Sequence, residues 1–439
     1  MVENIPNQML LSILSSEDEL YKAVGILLSL YIVYFLIYSR YLLSIIDPLI
    51  MAVFFSASAA FFPTYMYLSN MLYTDTYFFQ FMLSEIFLFF GIVVATHNRI
   101  VLRFIPQGII PTSKNIKVFF YICLLIYIFF LVIFFISSVN IPLAVYLSGE
   151  GSRLDANRGN IISYISAIIY NGMVLPATIM LFVLYMMNKG KTISRVQLFF
   201  CFFVLIIGSV ISGSKSFLIN FVFYIFFALQ YDAISKDDKK IKKVRMYSVC
   251  IIVLSFLCVF IMYIFTNGSE LALFGFLYRI FSSGNIFYLY AYDFFQWIDI
   301  EEYFLKWFFN GVLTNLKIIP WSDAVLNIGY QAELLYHPDS ALGGPNSRHN
   351  IVGYLYFGLY GSMIFSCIIG YVIGILRNTF ILASKKFDLL GYLCVVEMYR
   401  TSLTLLTGAD SVPFDILVRV FDLFLAYFMY VILRKVHYD

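Results

Sequence analysis

Uncharged apolar stretches about as long as a lipid bilayer is thick recur from one end of this chain to the other, and no other property limits its folding so strongly. One of them, "VFFYICLLIYIFFLVIFFISS", runs from Val118 to Ser138 without a charge. About 20 such residues are needed for a helix to cross a bilayer. Inside lipid every backbone amide must be satisfied within its own segment, so repeated runs of this kind demand helices. Further runs begin near Leu20, Pro48, Thr76, Ile161, Val196, Ser216, Tyr247, Ile351, Phe387 and Leu417. The expected fold class is therefore an all-α polytopic integral membrane protein of about 11 (10–12) transmembrane helices, forming a single integral domain over residues 1–439. Composition agrees: 62% of the residues are hydrophobic and 13% charged, against about 25% charged in soluble domains.

The first run lacks a basic segment before it and a small-residue cleavage site after it, so it is expected to be retained as a span. The run from Ile161 to Met187 contains Gly172 and Pro176, which allows either one tilted helix or a short re-entrant piece followed by a span.

Basic residues gather in alternate connections. Arg99, Arg103, Lys114 and Lys117 form one group, Lys189, Lys191 and Arg195 a second, and "KDDKKIKKVR" a third. The positive-inside rule makes these loops cytoplasmic. Arg40, Arg377, Lys385, Lys386, Arg434 and Lys435 fall on the same side, which puts the C-terminus inside and the N-terminus outside. Two outer connections are enlarged, 138–160 and 267–350. The second contains aromatic and charged mixtures such as "WFFNGVLTNLKIIPW", suited to helices lying in the interface.

A net charge of +3 is too small to indicate a nucleic-acid partner. The six cysteines have no metal or redox spacing and read as buried apolar residues. No HExxH or clustered acidic element points to a metal, and no cofactor is expected. What stands out on the outer side is cationic: Arg153 and Arg158 in "GSRLDANRGN", Lys215 in "SGSKSFLI", Arg279, and the triplet Arg348, His349, Asn350 at the start of a span. Loop charges are often only solvated surface. Lys215, in a short serine-flanked turn where a helix begins, is better placed for an anion. Glu397 and Arg400 lie three apart inside a span, where they share a face and can pair. Arg400 would also be within reach of a cavity open to the outside. Arginine binds phosphate oxygens through paired donors, and a neighbouring imidazole can accept a proton near neutral pH. Such a positive patch at the outer membrane surface suits a lipid-anchored diphosphate.

With about a dozen spans, two enlarged arginine-bearing outer loops, the "SGSKS" turn and "RHNIVGYLYFGLYG", the chain resembles the Wzy-type O-antigen or oligosaccharide repeat-unit polymerases of bacteria, and more distantly the O-antigen ligases. The "SGSKS" turn is similar to the family's Ser-Arg type turn, with lysine in place of arginine. The resemblance implies a GT-C-like, lipid-sugar-dependent glycosyltransferase fold in the bacterial inner membrane, with its active site facing the periplasm. The implied reaction joins undecaprenyl-diphosphate-linked oligosaccharides and releases undecaprenyl diphosphate. It implies Arg153, Arg158, Lys215, Arg279 and Arg348 as diphosphate ligands, His349 as base or hydroxyl positioner, and Asn350 as a sugar contact. If His349 only positions, an acidic loop residue such as Asp339 becomes the better base. A chain-length regulator is an expected partner. The alternatives are an O-antigen ligase, which uses the same donor, and a lipid-linked oligosaccharide flippase, which the absence of an internal repeat disfavours.

Overall fold

The computed structural model describes residues 16–103, 108–138, 161–187, 193–211, 217–232, 238–267, 289–290, 293–320, 324, 326–336, 347–386 and 388–436. All regular elements among them are helical. They are α1 (Glu17–Tyr38), α2 (Pro48–Leu68), α3 (Asp75–His97), α4 (Ser113–Ser137), α5 (Ile161–Met186), α6 (Arg195–Ile211), α7 (Phe217–Gln230) and α8 (Asp238–Asn267). Then follow the short α9 (Phe304–Phe308), α10 (Asn310–Asn315) and α11 (Ile328–Tyr336), and finally α12 (His349–Lys386), α13 (Leu389–Ser402) and α14 (Val412–Val436). Each of the eleven expected apolar runs is a helix, and among the described residues eight helices are long and apolar enough to cross a membrane. The run that begins at Ile161 is one continuous helix, with Pro176 inside it.

Local chemistry starts several of these helices. The Asp47 carboxylate accepts the Leu49 amide hydrogen at 3.0 Å while Pro48 takes the first helical position, where its missing N–H costs nothing. Thr112 accepts from the Asn115 amide at the start of α4.

Contacts divide the chain into two compact units. The first comprises 1–100, 263–375 and 401–414; the second comprises 101–262, 376–400 and 415–439. In the first unit α1 packs on α2 through the stacked rings of Tyr31 and Phe54 and a 2.8 Å hydroxyl contact from Tyr31 to Ser58. The other face of α1 leaves Leu28, Ile32 and Leu36 exposed, as a helix facing lipid does. Helices α3 and α12 meet backbone to backbone. A Cβ added to Gly91 would lie 2.1 Å from the Cys367 carbonyl oxygen, and one on Gly370 would lie 1.9 Å from that of Leu88. Only glycine permits so close an approach.

In the second unit α5 forms the centre, buried along most of its length. It packs against α4 through Tyr170, whose ring lies edge-on to Tyr127 and Phe134. The Tyr127 hydroxyl donates to the Val204 carbonyl at 2.7 Å and accepts from the Gly208 amide at 2.9 Å, tying α4 to α6.

One helix departs from its expected course. As a straight rod, the 38 residues of α12 would span about 57 Å at ~1.5 Å per residue, nearly twice the ~30 Å hydrocarbon core. The helix is broken at Gly358, whose φ of 68° and ψ of −167° are non-helical, a combination reserved almost wholly for glycine. The chain folds back there. Gly353 packs against the Ser362 backbone, the Phe357 ring lies 5.5 Å from Phe365, and His349 reaches Ser366. Residues 349–357 therefore form a short leg running antiparallel to the first turns of the long one.

Candidate functional site

The fold-back settles where the triplet lies. Ser366 is eight residues beyond Gly358, about 12 Å along the helix, and the contact of His349 with it sets the triplet at that depth below the tip of the bend. From the sequence, Arg348, His349 and Asn350 are expected on an outer surface as a positive patch. Instead Arg348 is 1% exposed and His349 and Asn350 are 0% exposed, and the reason is electrostatic. An unpaired guanidinium cannot be withdrawn from water at bearable cost, and α3 supplies its counterion, Glu85.

Arg348 donates from Nη2 to Glu85 Oε1 at 3.1 Å and to Ser56 Oγ of α2 at 2.8 Å. His349 Nδ1 is 2.8 Å from Ser366 Oγ, and its Nε2 stands 3.4 Å from the same Glu85 oxygen. A second layer fixes the backbone. Gln80 Nε2 donates to the Asn350 carbonyl at 2.9 Å and to Ser362 Oγ at 3.1 Å, while its Oε1 accepts from the Tyr290 hydroxyl at 3.2 Å. Thus α2, α3 and both legs of α12 hold one polar cluster inside an apolar bundle.

The cluster is not saturated. Glu85 Oε2, Arg348 Nε, His349 Nε2, Asn350 Nδ2 and the Ser347 hydroxyl are all buried with no hydrogen-bond partner. Buried polar groups are seldom left so. Possible donors on Ser347, Arg348 and Asn350, with an acceptor on Glu85, are what a hydroxyl-rich ligand requires, since each hydroxyl both donates and accepts.

Arg400, expected to pair with Glu397, does so: its Nε and Nη2 both lie 3.1 Å from Glu397 Oε2. Nearby in the same unit, on α14, Arg419 Nη1 lies 3.8 Å from Asp422 Oδ2 without a hydrogen bond, and Asp422 packs against Gly172 of α5. Arg153, Arg158, Lys215 and Arg279 lie outside the described residues, as do Asp339, residues 139–160 of the first enlarged loop and parts of the second. Among the described residues no three His, Cys, Asp or Glu side chains could share a metal ion. Glu85, together with Ser56, Gln80 and Ser366, which hold Arg348, Asn350 and His349, belongs to the cluster without having been expected there from the sequence. A lone carboxylate in the middle of "FMLSEIFLFF" was the available signal.

The chain matches no protein-family model, no curated protein and no solved structure.

Proposed function

We propose that this chain is a membrane glycosyltransferase that joins undecaprenyl-diphosphate-linked oligosaccharide units into a polysaccharide on the periplasmic face of a bacterial inner membrane. The observation that carries the reading is the buried cluster: an arginine, a histidine, an asparagine and a glutamate brought together by a re-entrant helix, with hydroxyl-complementary atoms unpartnered. The resemblance of "SGSKS" and "RHNIVGYLYFGLYG" to the repeat-unit polymerases points the same way. In this reading all eleven apolar helices span the membrane in a GT-C-like plan, with the C-terminus cytoplasmic.

The roles follow from charge. Glu85 neutralises Arg348 and Glu397 neutralises Arg400, so the departing diphosphate is left to Arg153, Arg158, Lys215 and Arg279. Their fixed positive charges stabilise the oxygen that gains the electron pair as the anomeric bond breaks. The buried triplet holds the sugar of the incoming unit. A hydroxyl of that unit attacks the anomeric carbon of the growing chain, and undecaprenyl diphosphate leaves. Cations on the outer side take the part that a divalent ion plays in other transferases, so turnover is expected to survive a chelator.

The test is reconstitution. Purified chain mixed with lipid-linked repeat units from its native host should yield a ladder of products and free undecaprenyl diphosphate. A ligase would instead consume finished chains only when lipid A core is added. A flippase would release no undecaprenyl diphosphate at all.

A further inference from the structure

The polymerase reading needs a proton acceptor for the attacking hydroxyl, and the inference drawn here rests on that reading. We infer that Glu85, not His349, takes this proton. His349 Nδ1 is taken up by the Ser366 hydroxyl, and Nε2, which makes no hydrogen bond, is turned toward Glu85 Oε1 at 3.4 Å. A general base needs an atom within hydrogen-bond reach of the substrate proton; the one nitrogen that His349 has left is directed at the carboxylate, whereas Glu85 has a second oxygen to spare. Its Oε1 is held by Arg348 and approached by His349, while Oε2 is buried and has no partner.

The way Arg348 meets Glu85 separates this role from that of a plain counterion. A guanidinium frequently engages a carboxylate through two parallel hydrogen bonds that occupy both oxygens. Here a single nitrogen, Nη2, contacts a single oxygen, leaving Nε and Oε2 unpartnered on either side. One oxygen anchors the group and the other is kept for something else. Asn350 Nδ2 and the Ser347 hydroxyl, both unpartnered on neighbouring residues, supply hydrogen-bond groups for the same sugar.

The step balances within the groups named. The acceptor hydroxyl gives its proton to Glu85 Oε2 as its oxygen bonds to the anomeric carbon. The bond from that carbon to the diphosphate oxygen breaks, and its electron pair leaves with undecaprenyl diphosphate. His349 is a positioning residue: with Ser366 behind it, it fixes the carboxylate whose oxygen it approaches.

The experiment uses the reconstituted full chain with lipid-linked repeat units as substrate. Glu85→Gln keeps the size and an acceptor oxygen for Arg348, and should lower the rate of ladder formation about 10² or more, with donor binding close to the parent and a thermal midpoint lowered by the loss of the Arg348 counterion. His349→Gln, which can still hydrogen-bond, should stay within about tenfold of the parent. Sodium azide needs no deprotonation to attack, so added to Glu85→Ala it should form a glycosyl azide and restore release of undecaprenyl diphosphate. A Glu85→Gln protein that builds the ladder at close to the parent rate would overturn the assignment. So would an azide-insensitive Glu85→Ala that still binds donor. Should Glu85→Ala not fold, the Gln variant alone decides. If the unaltered chain neither builds a ladder nor releases undecaprenyl diphosphate, the polymerase reading itself fails, a result distinct from either of these.

Discussion

Each of the two units buries charge among apolar helices, and they do so differently. In the first, Arg348 and Glu85 are 263 residues apart and meet across helices, with Ser56, His349 and Ser366 closing the cluster. In the second, the pairs are local, Glu397 with Arg400 and Arg419 with Asp422, each three residues apart on one helix. The long-range cluster has short, directional contacts. The Arg419–Asp422 contact has none, and neither Asp422 oxygen has a hydrogen-bond partner. A pair within one helix forms wherever the helix forms, whereas a pair between helices holds only while the whole packing holds. The first is a tertiary device and the second largely a secondary one, and they should fail differently.

The largest expected effect comes from stranding a charge. Arg348→Met leaves Glu85 without its cation at 5% exposure, and breaking a buried pair in this way costs about 3–5 kcal/mol. The double variant Arg348→Met with Glu85→Gln should recover most of that loss, because the uncompensated charge is gone. Thermal unfolding in detergent measures both. Additive losses in the double variant would show that the two side chains do not act as a pair.

Next in size is a change that separates the helices without touching a charge. Gly370→Ala puts a Cβ against the Leu88 backbone, which cannot rotate away, so α3 and α12 must move apart at a cost of about 1–3 kcal/mol. Gly172→Ala in the second unit meets the ends of the Asp422 and Arg419 side chains and no backbone, so side-chain movement can relieve it and it should cost distinctly less. Comparing the two thermal midpoints tests whether the first cluster depends on helix spacing more than the second does.

Smaller still is Asp422→Asn. The carboxylate has no hydrogen bond to lose and its arginine, 21% exposed, stands 3.8 Å away, so the change should cost less than any of those above, and an equal loss to that of Arg348→Met would erase the contrast.

The smallest effect is a pH slope. Asp410, between α13 and α14, donates nothing but accepts from Asn327 at 2.9 Å, and burial holds its carboxyl above the usual carboxylate range. A raised native value means that the folded state binds its proton more tightly than the unfolded chain does. Its contribution is therefore complete below the ordinary carboxylate range and is lost as pH rises through the raised value. Asp410→Asn should flatten that part of the stability curve, measured as thermal midpoint against pH.

The difference between the two clusters also explains what could be read before folding. Helix positions were legible because the requirement for about 20 apolar residues is local. The pairing of Glu397 with Arg400 was legible for the same reason, since three residues of helix fix the face. Nothing local ties Glu85 to Arg348. The fold-back was equally hidden, because "IVGYLYFGLYGSMIF" is apolar on both sides of Gly358, so hydropathy runs through the break as if it were one span. Gly353, Gly358 and Gly361 were visible there, but a glycine marks where a bend is allowed, not where packing demands one. Without the bend the triplet stood at a surface, and with it the same residues are interior.

The re-entrant leg also imposes an order of events on membrane insertion. Residues 359–386 alone make about 42 Å of helix at ~1.5 Å per residue, ample to cross by itself, while the leg that carries Arg348 and His349 cannot enter hydrocarbon ahead of its counterion. Glu85 belongs to a span made more than 250 residues earlier, which must wait in the bilayer with its carboxylate unmatched. The leg can dock only once α3 is in place, so the pairing of Arg348 with Glu85 joins two segments made far apart in time.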